Sequence, residues 1–554
     1  MNTVYINTLF ISAPSRSCER IVWVSTPART PLPRPVAGFL RFFALRRAPE
    51  TIAPSLRAGI TSSVTIAVSC LIFGPQLGAI ALFGSMLALW EADRPLWARA
   101  RNVLLIASTM SVSMILGVLV APYRWAVVPA IVLIILVATL AYYAFLLTRG
   151  PGPLHLFYAA TLGTYFGLNP ELGWRIVGVT AFAAFFTGAL TLLTLLVHPH
   201  RPEQRVVQDA HDAVEAYRAA TQTGTDPDHG RSRRNAAYGA VNRAWLTVNS
   251  ARPATHGRSH RARERELLAV NRLLAATVLH GLGQPDQVRE LTPDTPLLLG
   301  RPSFRFLLAH ALRGDSVAWF TAWRMGLAAG IAGLVTELAG IGHPYWAILT
   351  STIILHQWVN RIATTRRAAH RAVGTLLGLG IVALVVTLNP GPWPVVAIVI
   401  ACAIGQDVLI PLNYALALIV VTPMSLLSIE ATGQGGPLTG LLSDRLLATL
   451  IGAAAAVLVT WATSYWFPGR LLRAQFARAT AAITAVETVN AHGDAFSPAG
   501  RQARVELQYE LIHHLTVLDR ATTDDPRLAT RQEAGHALAD DGYIALAKTW
   551  RTEE

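Results

Sequence analysis

Residues 342–358 read GHPYWAILTSTIILHQW. His343, Pro344, Tyr345 and Trp346 open an uncharged run that ends at His356, Gln357 and Trp358. A knot of cations follows: Arg361, Arg366, Arg367, His370 and Arg371. The run is shorter than the ~20 apolar residues that a straight membrane helix needs. Rings at one end and arginines at the other suit a short membrane span with its ends at the two faces.

The rest of the chain agrees with that reading. Of 554 residues, 52% are hydrophobic and only 14% charged, where a soluble domain carries about 25% charged residues. The apolar residues lie in long uncharged blocks, the pattern of a polytopic membrane protein. The net charge of +14 does not indicate a nucleic-acid partner, because the arginines flank apolar blocks, where the positive-inside rule puts them. Cys18, Cys70 and Cys402 form no CxxC pattern, so neither a disulfide frame nor a zinc site is expected. Lys548 is the sole lysine, which excludes a Gly-Lys phosphate loop. His198-Pro199-His200 is a weak metal pattern, so no metal and no cofactor is expected. Residues 1–35 have no apolar core of the kind a signal peptide needs. They read as a disordered segment or an over-long gene start.

The apolar blocks fall into two sets. At an offset of 268 residues Gly74 meets Gly342, Ala79 meets Ala347, Ile80 meets Ile348, Trp90 meets Trp358 and Arg99 meets Arg367. At nearby offsets Arg57 meets Arg324, Arg175 meets Arg445, and Gly230-Arg231 meets Gly500-Arg501. Each set contains six expected spans. They are 57–73, 76–90, 102–120, 125–147, 154–168 and 174–197, then 321–341, 345–358, 372–388, 393–409, 411–428 and 442–467. The breaks at 74–76 and 342–344 predict tight hairpins. Short interrupted segments at matching places in two halves point to a transport site.

The expected fold is therefore all-α and polytopic: two tandem six-helix transmembrane units, each followed by a cytoplasmic helical bundle. The divisions are an N-terminal cytoplasmic segment at 1–50, a first unit at 51–197, a helical region at 198–318, a second unit at 319–467 and a C-terminal helical region at 468–554. Arg41, Arg46, Arg47, Arg94, Arg99, Arg101, Arg361, Arg366, Arg367 and Arg371 mark one side. That places both termini and both polar regions in the cytoplasm, and a multi-pass protein in the plasma membrane. The polar regions carry apolar residues at three- and four-residue steps, as in RVVQDAHDAVEAYRAA (205–220) and RVELQYELIHHLTVL (504–518). They offer a surface for a homo-oligomer, and equally the two faces of one intramolecular layer. RSHRARERE (258–266) reads as a solvated face near anionic lipid.

Tyr345-Trp346-Ala347, the Arg366-Arg367 pair, and Arg371, Gly374, Thr375 and Gly378 of RAVGTLLG resemble the FUSC-type transporters. These are the fusaric acid resistance and aromatic acid exporter proteins, with plant malate channels as distant relatives. YALALIVVTPMSLL (414–427) and DRLLATLIG (444–452) resemble later spans of the same family. The resemblance implies efflux of organic anions, often aromatic carboxylates, with the proton gradient as energy source. The first unit departs from it, with Leu77-Gly78 in place of Tyr345-Trp346.

The residues suit such a cargo. Arginine matches a carboxylate with two hydrogen bonds, and aromatic rings pack on an aromatic body. Candidate anion-binding residues are Arg324, Arg367, Arg371 and Arg445, with Tyr345 and Trp346. The same arginines also read as topology-setting groups that snorkel to headgroups. Glu337, within LVTELAGIGH, and His343 form the candidate proton-coupling pair. Asp407 reads as a guard of the cytoplasmic approach or as the cap of the eleventh span. A passive anion channel and a membrane scaffold that binds a partner through its polar helices remain open. An enzyme ranks last, because Glu91 and Asp93 have Val359 and Arg361 opposite them in the repeat.

Overall fold

The computed structural model describes residues 42–45, 49–90, 94–145, 152–197, 200–224, 227–250, 258–281, 300–356, 360–433 and 438–550. Most of the N-terminal segment, with Arg41, Arg46 and Arg47, lies outside the described residues, as do Glu91, Asp93, His198, Trp358 and Val359.

The first apolar set forms α1 (Pro49–Phe73), α2 (Pro75–Leu89), α3 (Leu96–Val120), α4 (Arg124–Ala144), α5 (Leu154–Phe166) and α6 (Pro170–Val197). Polar helices follow: α7 (Arg201–Gln222), α8 (Pro227–Val248), α9 (Arg258–His280) and the short α10 (Phe304–Leu312). The second apolar set forms α11 (Val317–Leu338), α12 (Pro344–Leu355), α13 (Arg361–Leu388), α14 (Pro392–Leu412), α15 (Tyr414–Glu430) and α16 (Leu438–Thr463). The chain closes with α17 (Phe467–Ala491), α18 (Pro498–Asp524) and α19 (Gln532–Lys548). Proline at the first helical position starts α2, α12 and α14, where its missing N–H costs nothing. Gly74 (φ 83°) and Gly340 (φ 68°) make the turns into α2 and α12, in a region that side chains avoid.

Among the described residues, eight helices are long and apolar enough to cross a membrane: α1, α3, α4 and α6, then α11, α13, α14 and α16. The expectation of twelve full spans is corrected. α2, α5, α12 and α15 are too short, and they lie inside the ring of long helices. α12 has 12 residues, about 18 Å at helical rise, against a ~30 Å hydrocarbon layer. Every one of its side chains from Tyr345 to Leu355 is buried, as expected of a helix apolar on all faces.

The pairings are alike in the two halves. α3 packs on α5 as α13 packs on α15, and α2 packs on α6 as α12 packs on α16. The first helix of each half crosses to the fourth helix of the other: α1 packs on α14, and α11 on α4. One apolar core therefore runs from Ile66 through to Val459. Small residues bring the inner helices close. A Cβ on Gly117 would fall 2.3 Å from the Ala160 carbonyl oxygen, and one on Gly452 would fall 2.3 Å from that of Ala347.

The polar helices form a single layer. Val207, Trp245 and Leu267 of α7–α9 share one core with Leu511 and Tyr543 of α18 and α19. The layer sits where α6 and α16 end and where α11 and α13 begin. Asp524 there accepts from the Arg361 backbone N–H at 2.8 Å, and Phe467 stacks on Phe320 at 4.4 Å. Of the two readings of the polar faces, an intramolecular layer covers them within this chain. The layer also buries Glu510, which accepts from Gln475 at 2.7 Å and contacts His310 at 3.3 Å. Burial pushes the Glu510 carboxyl up, but hydrogen bonding and charge from His310 hold it below the usual range. The same burial pushes the neighbouring His513 down to about 4.

A Cβ on Gly374 of α13 would lie 2.5 Å from the Leu418 Cβ and 2.8 Å from the Ala415 oxygen, whereas one on Gly380 meets nothing within 4 Å. Gly374→Ala is therefore expected to destabilise the α13–α15 pair by about 1–3 kcal/mol. Gly380→Ala should leave stability unchanged or raise it by up to ~1 kcal/mol. Thermal unfolding in detergent checks both; equal midpoints for the two variants would contradict this packing.

Candidate functional site

The four inner helices meet around a cavity of about 40 Å³. Leu82 and Phe83 of α2 and Tyr158 and Tyr165 of α5 form one wall. Tyr345 and Trp346 of α12, Met424 of α15 and Arg445 of α16 form the other. Room of this size holds a few waters, so a ring-sized cargo enters only when the lining helices part.

Two buried arginines dominate the site. Arg371, in the third turn of α13, is 3% exposed. Its Nε donates to the Thr350 hydroxyl at 3.4 Å and its Nη1 to the Tyr414 hydroxyl at 3.3 Å, and it also bonds Tyr158. Arg445 is 5% exposed, and its guanidinium lies 5.0 Å from the centre of the Trp346 ring. Its Nε has no hydrogen-bond partner. The two cations act on each other and both act on Tyr158. Among the described residues, no carboxylate lies within ion-pair distance of either one. Burying a charge costs several kcal/mol unless a partner compensates it. Here hydroxyls and one ring do so in part, and positive potential is left over at the cavity.

The aromatic end is a cluster of four rings. His343 stacks on Trp346 at 4.3 Å, and Tyr345 lies 5.4 Å from Tyr165 and 5.6 Å from His343. The Tyr345 hydroxyl is buried without a partner. Tyr345, Trp346 and Arg445 thus line one cavity, and Arg371 adjoins it through Tyr158. Arg371 reaches the middle of α12 at Thr350 rather than its end.

Other candidates fall elsewhere. Arg324 is buried, but it bonds Thr460 at 3.1 Å and sits 4.9 Å from the Phe320 ring. It thus faces the junction with the polar layer, away from the cavity. Arg367 stands near His356 at the polar-layer end of α12. Glu337 and His343 do not pair, which corrects the proposed couple. The turn at Gly340 separates them, Glu337 bonds Arg124 of α4, and His343 bonds Asp444 at 2.8 Å. Asp444 fits there because Gly342 has no side chain; a Cβ would stand 2.9 Å from its carboxylate. Asp407 does not cap the eleventh span. Asn413 does, accepting from Ala415 and Leu416 at 2.8 and 3.2 Å, while Asp407 is buried inside α14. Tyr158, Tyr165 and Tyr414 were not singled out. Tyr158 and Tyr165 stand seven residues apart, on one helical face, and that spacing was the available signal.

Residues 331–459 match the family described as fusaric acid resistance protein-like. The matched stretch contains His343, Tyr345, Trp346, Arg367, Arg371 and Arg445, but not Arg324. Over 476 residues the chain is 21% identical to the Uncharacterized membrane protein YvaC of Bacillus subtilis (strain 168), covering 76% of this chain and 73% of that protein. Over 180 residues it is 28% identical to the Inner membrane protein YccS of Escherichia coli (strain K12), covering 32% of this chain and 24% of that protein. No solved structure matches the chain. The resemblance drawn from the sequence is borne out, and the protein is an all-α membrane protein.

An unpaired buried cation is expected to be held at a cost in stability. Arg445→Met, of similar length and uncharged, should raise stability by about 1–3 kcal/mol. Thermal unfolding in detergent checks it; a lowered midpoint would show that the Trp346 contact outweighs the desolvation.

Proposed function

We propose that the protein exports organic anions, chiefly aromatic or other hydrophobic carboxylates, across the plasma membrane. The observation that carries this reading is the buried pair Arg445, which lines the ring-walled cavity, and Arg371, which adjoins it through Tyr158, with no carboxylate among the described residues within ion-pair distance of either. A carboxylate from solution supplies the missing counter-charge, and Tyr345, Trp346 and Tyr165 receive its apolar body. The family match to fusaric acid resistance-like proteins supports the same class of cargo.

The polar layer is placed in the cytoplasm with both termini, since Arg94, Arg99, Arg101, Arg361, Arg366 and Arg367 cluster at that end. The proton-motive force is the energy source. Its electrical component acts on an anion directly, by about 2.3 kcal/mol per charge per 100 mV, outward across an inside-negative membrane. A cavity of about 40 Å³ passes no aromatic ring until helices move, which favours a carrier over a standing pore.

Everted membrane vesicles test the reading. Energised vesicles, acid and positive inside, are expected to accumulate radiolabelled benzoate or 1-naphthoate, a direction in which passive weak-acid diffusion does not carry them. Arg371→Ala should abolish accumulation, and Arg371→Lys, which loses the planar fork, should reduce it about ten-fold. Flux that equilibrates without accumulation would make the protein a channel. Equal accumulation by wild type and Arg371→Ala would remove the arginine from the pathway.

A further inference from the structure

A buried carboxyl stands next in sequence to Gln406, which lines the cavity, and the sequence reading gave it only a guarding or capping role. Asp407 lies inside α14, a membrane helix, and is 4% exposed. Among the described residues its one hydrogen bond comes from the Gln406 amide at 3.3 Å. Gln406 lines the cavity together with Arg445, Tyr345 and Trp346. Among the described residues no cation lies within ion-pair distance of Asp407. The helices packed on α14 are α1, α2 and α15. Their titratable groups with described side chains are Arg57 and Cys70 on α1 and Tyr414 and Glu430 on α15, with none on α2. None of them bonds Asp407; Arg57 is exposed, and Tyr414 bonds Arg371. Within α14 the only other titratable group is Cys402. Of the other acids near the site, Asp444 bonds His343 and Glu337 bonds Arg124, while Glu430, at the end of α15 away from the polar layer, has a buried oxygen with no hydrogen-bond partner among the described residues and acts on Tyr165.

We propose that Asp407 is the proton-binding residue of the anion site, and that its protonation from the polar-layer side raises the affinity of the cavity for the anion. This rests on the transport reading above. Asp407 stands five residues before the end of α14, about 8 Å from its polar-layer end at helical rise. An ionisable group buried at membrane depth is a functional-site candidate by default. The sign follows from charge. Ionised, Asp407 opposes a second anion in the cavity next to it; protonated, it does not. By reciprocity, an anion in the cavity raises the proton affinity of Asp407 by the same factor. A weak acid that crosses the membrane neutral and dissociates inside acidifies that compartment, so the site fills when its own cargo has accumulated.

The test uses the full chain in nanodiscs and benzoate, which stays ionised across the range used. Equilibrium dialysis gives Kd between about pH 5.5 and about pH 8.5, and a dye in weak buffer reports proton uptake on binding. Wild type is expected to bind about ten-fold more weakly at the alkaline end and to take up protons as benzoate binds. Asp407→Asn should keep the acid-side Kd throughout, within about two-fold, and take up no proton. Asp407→Glu should restore the pH dependence. A wild type that binds benzoate with a flat Kd and no proton uptake overturns the inference alone, whether or not any variant folds. A pH slope that persists in Asp407→Asn but vanishes in Asp444→Asn or in Glu430→Gln assigns the proton to the His343 pair or to Glu430 and overturns it as well. A wild type that binds neither benzoate nor 1-naphthoate at any pH overturns the transport reading and this inference with it.

Discussion

Two guanidinium groups held in a protein interior without a carboxylate are the constraint around which the membrane body is built. Water or headgroups normally solvate an arginine near a helix end. Arg371 and Arg445 are buried instead; Thr350, Tyr414 and Tyr158 hold the first, and the Trp346 ring holds the second. Such groups persist where binding needs them, because folding alone would replace them with apolar side chains. The tyrosine hydroxyls are suited to this position. They accept from a cation in the empty state, and they can donate to a carboxylate once it arrives.

The short helices make that interior possible. α2, α5 and α12 are too short to span the hydrocarbon layer and α15 falls short of the ~20 residues of a straight span; buried among the long helices, they keep their polar groups from lipid. Each is drawn against a long neighbour by small residues: Gly117 and Gly163 join α3 to α5, and Gly374 and Gly378 join α13 to α15. The first helix of each half then crosses to the other half. Neither half completes the cavity alone, since α5 of the first supplies Tyr158 and α16 of the second supplies Arg445.

Much of this was legible in the sequence, and the failures have physical causes. Uncharged blocks, prolines at 75, 344 and 392 and glycines at 74 and 340 gave the helix order, because each feature acts locally on the backbone. Whether a block spans the membrane or is enclosed is not local; α12 is as apolar as α14, and only its length and its neighbours set it apart. The same limit governs the arginines. Arg324 and Arg445 look alike as single cations in apolar runs, yet one faces Phe320 and the other the cavity. Glu337 and His343 are close in sequence, but the Gly340 turn sends them to Arg124 and Asp444. Asp407 was read as a cap because Asn413, which does cap, lies only a few residues away.

The central claim is that Arg371 and Arg445 jointly receive a carboxylate whose ring lies among Tyr345, Trp346 and Tyr165. The most direct measurement is a structure of the protein with 4-iodobenzoate, locating the iodine by its anomalous signal. The account predicts a carboxylate between the two guanidinium groups, with iodine on the aromatic side of the cavity. Iodine bound only elsewhere, with the two arginines unoccupied at saturating ligand, would contradict it.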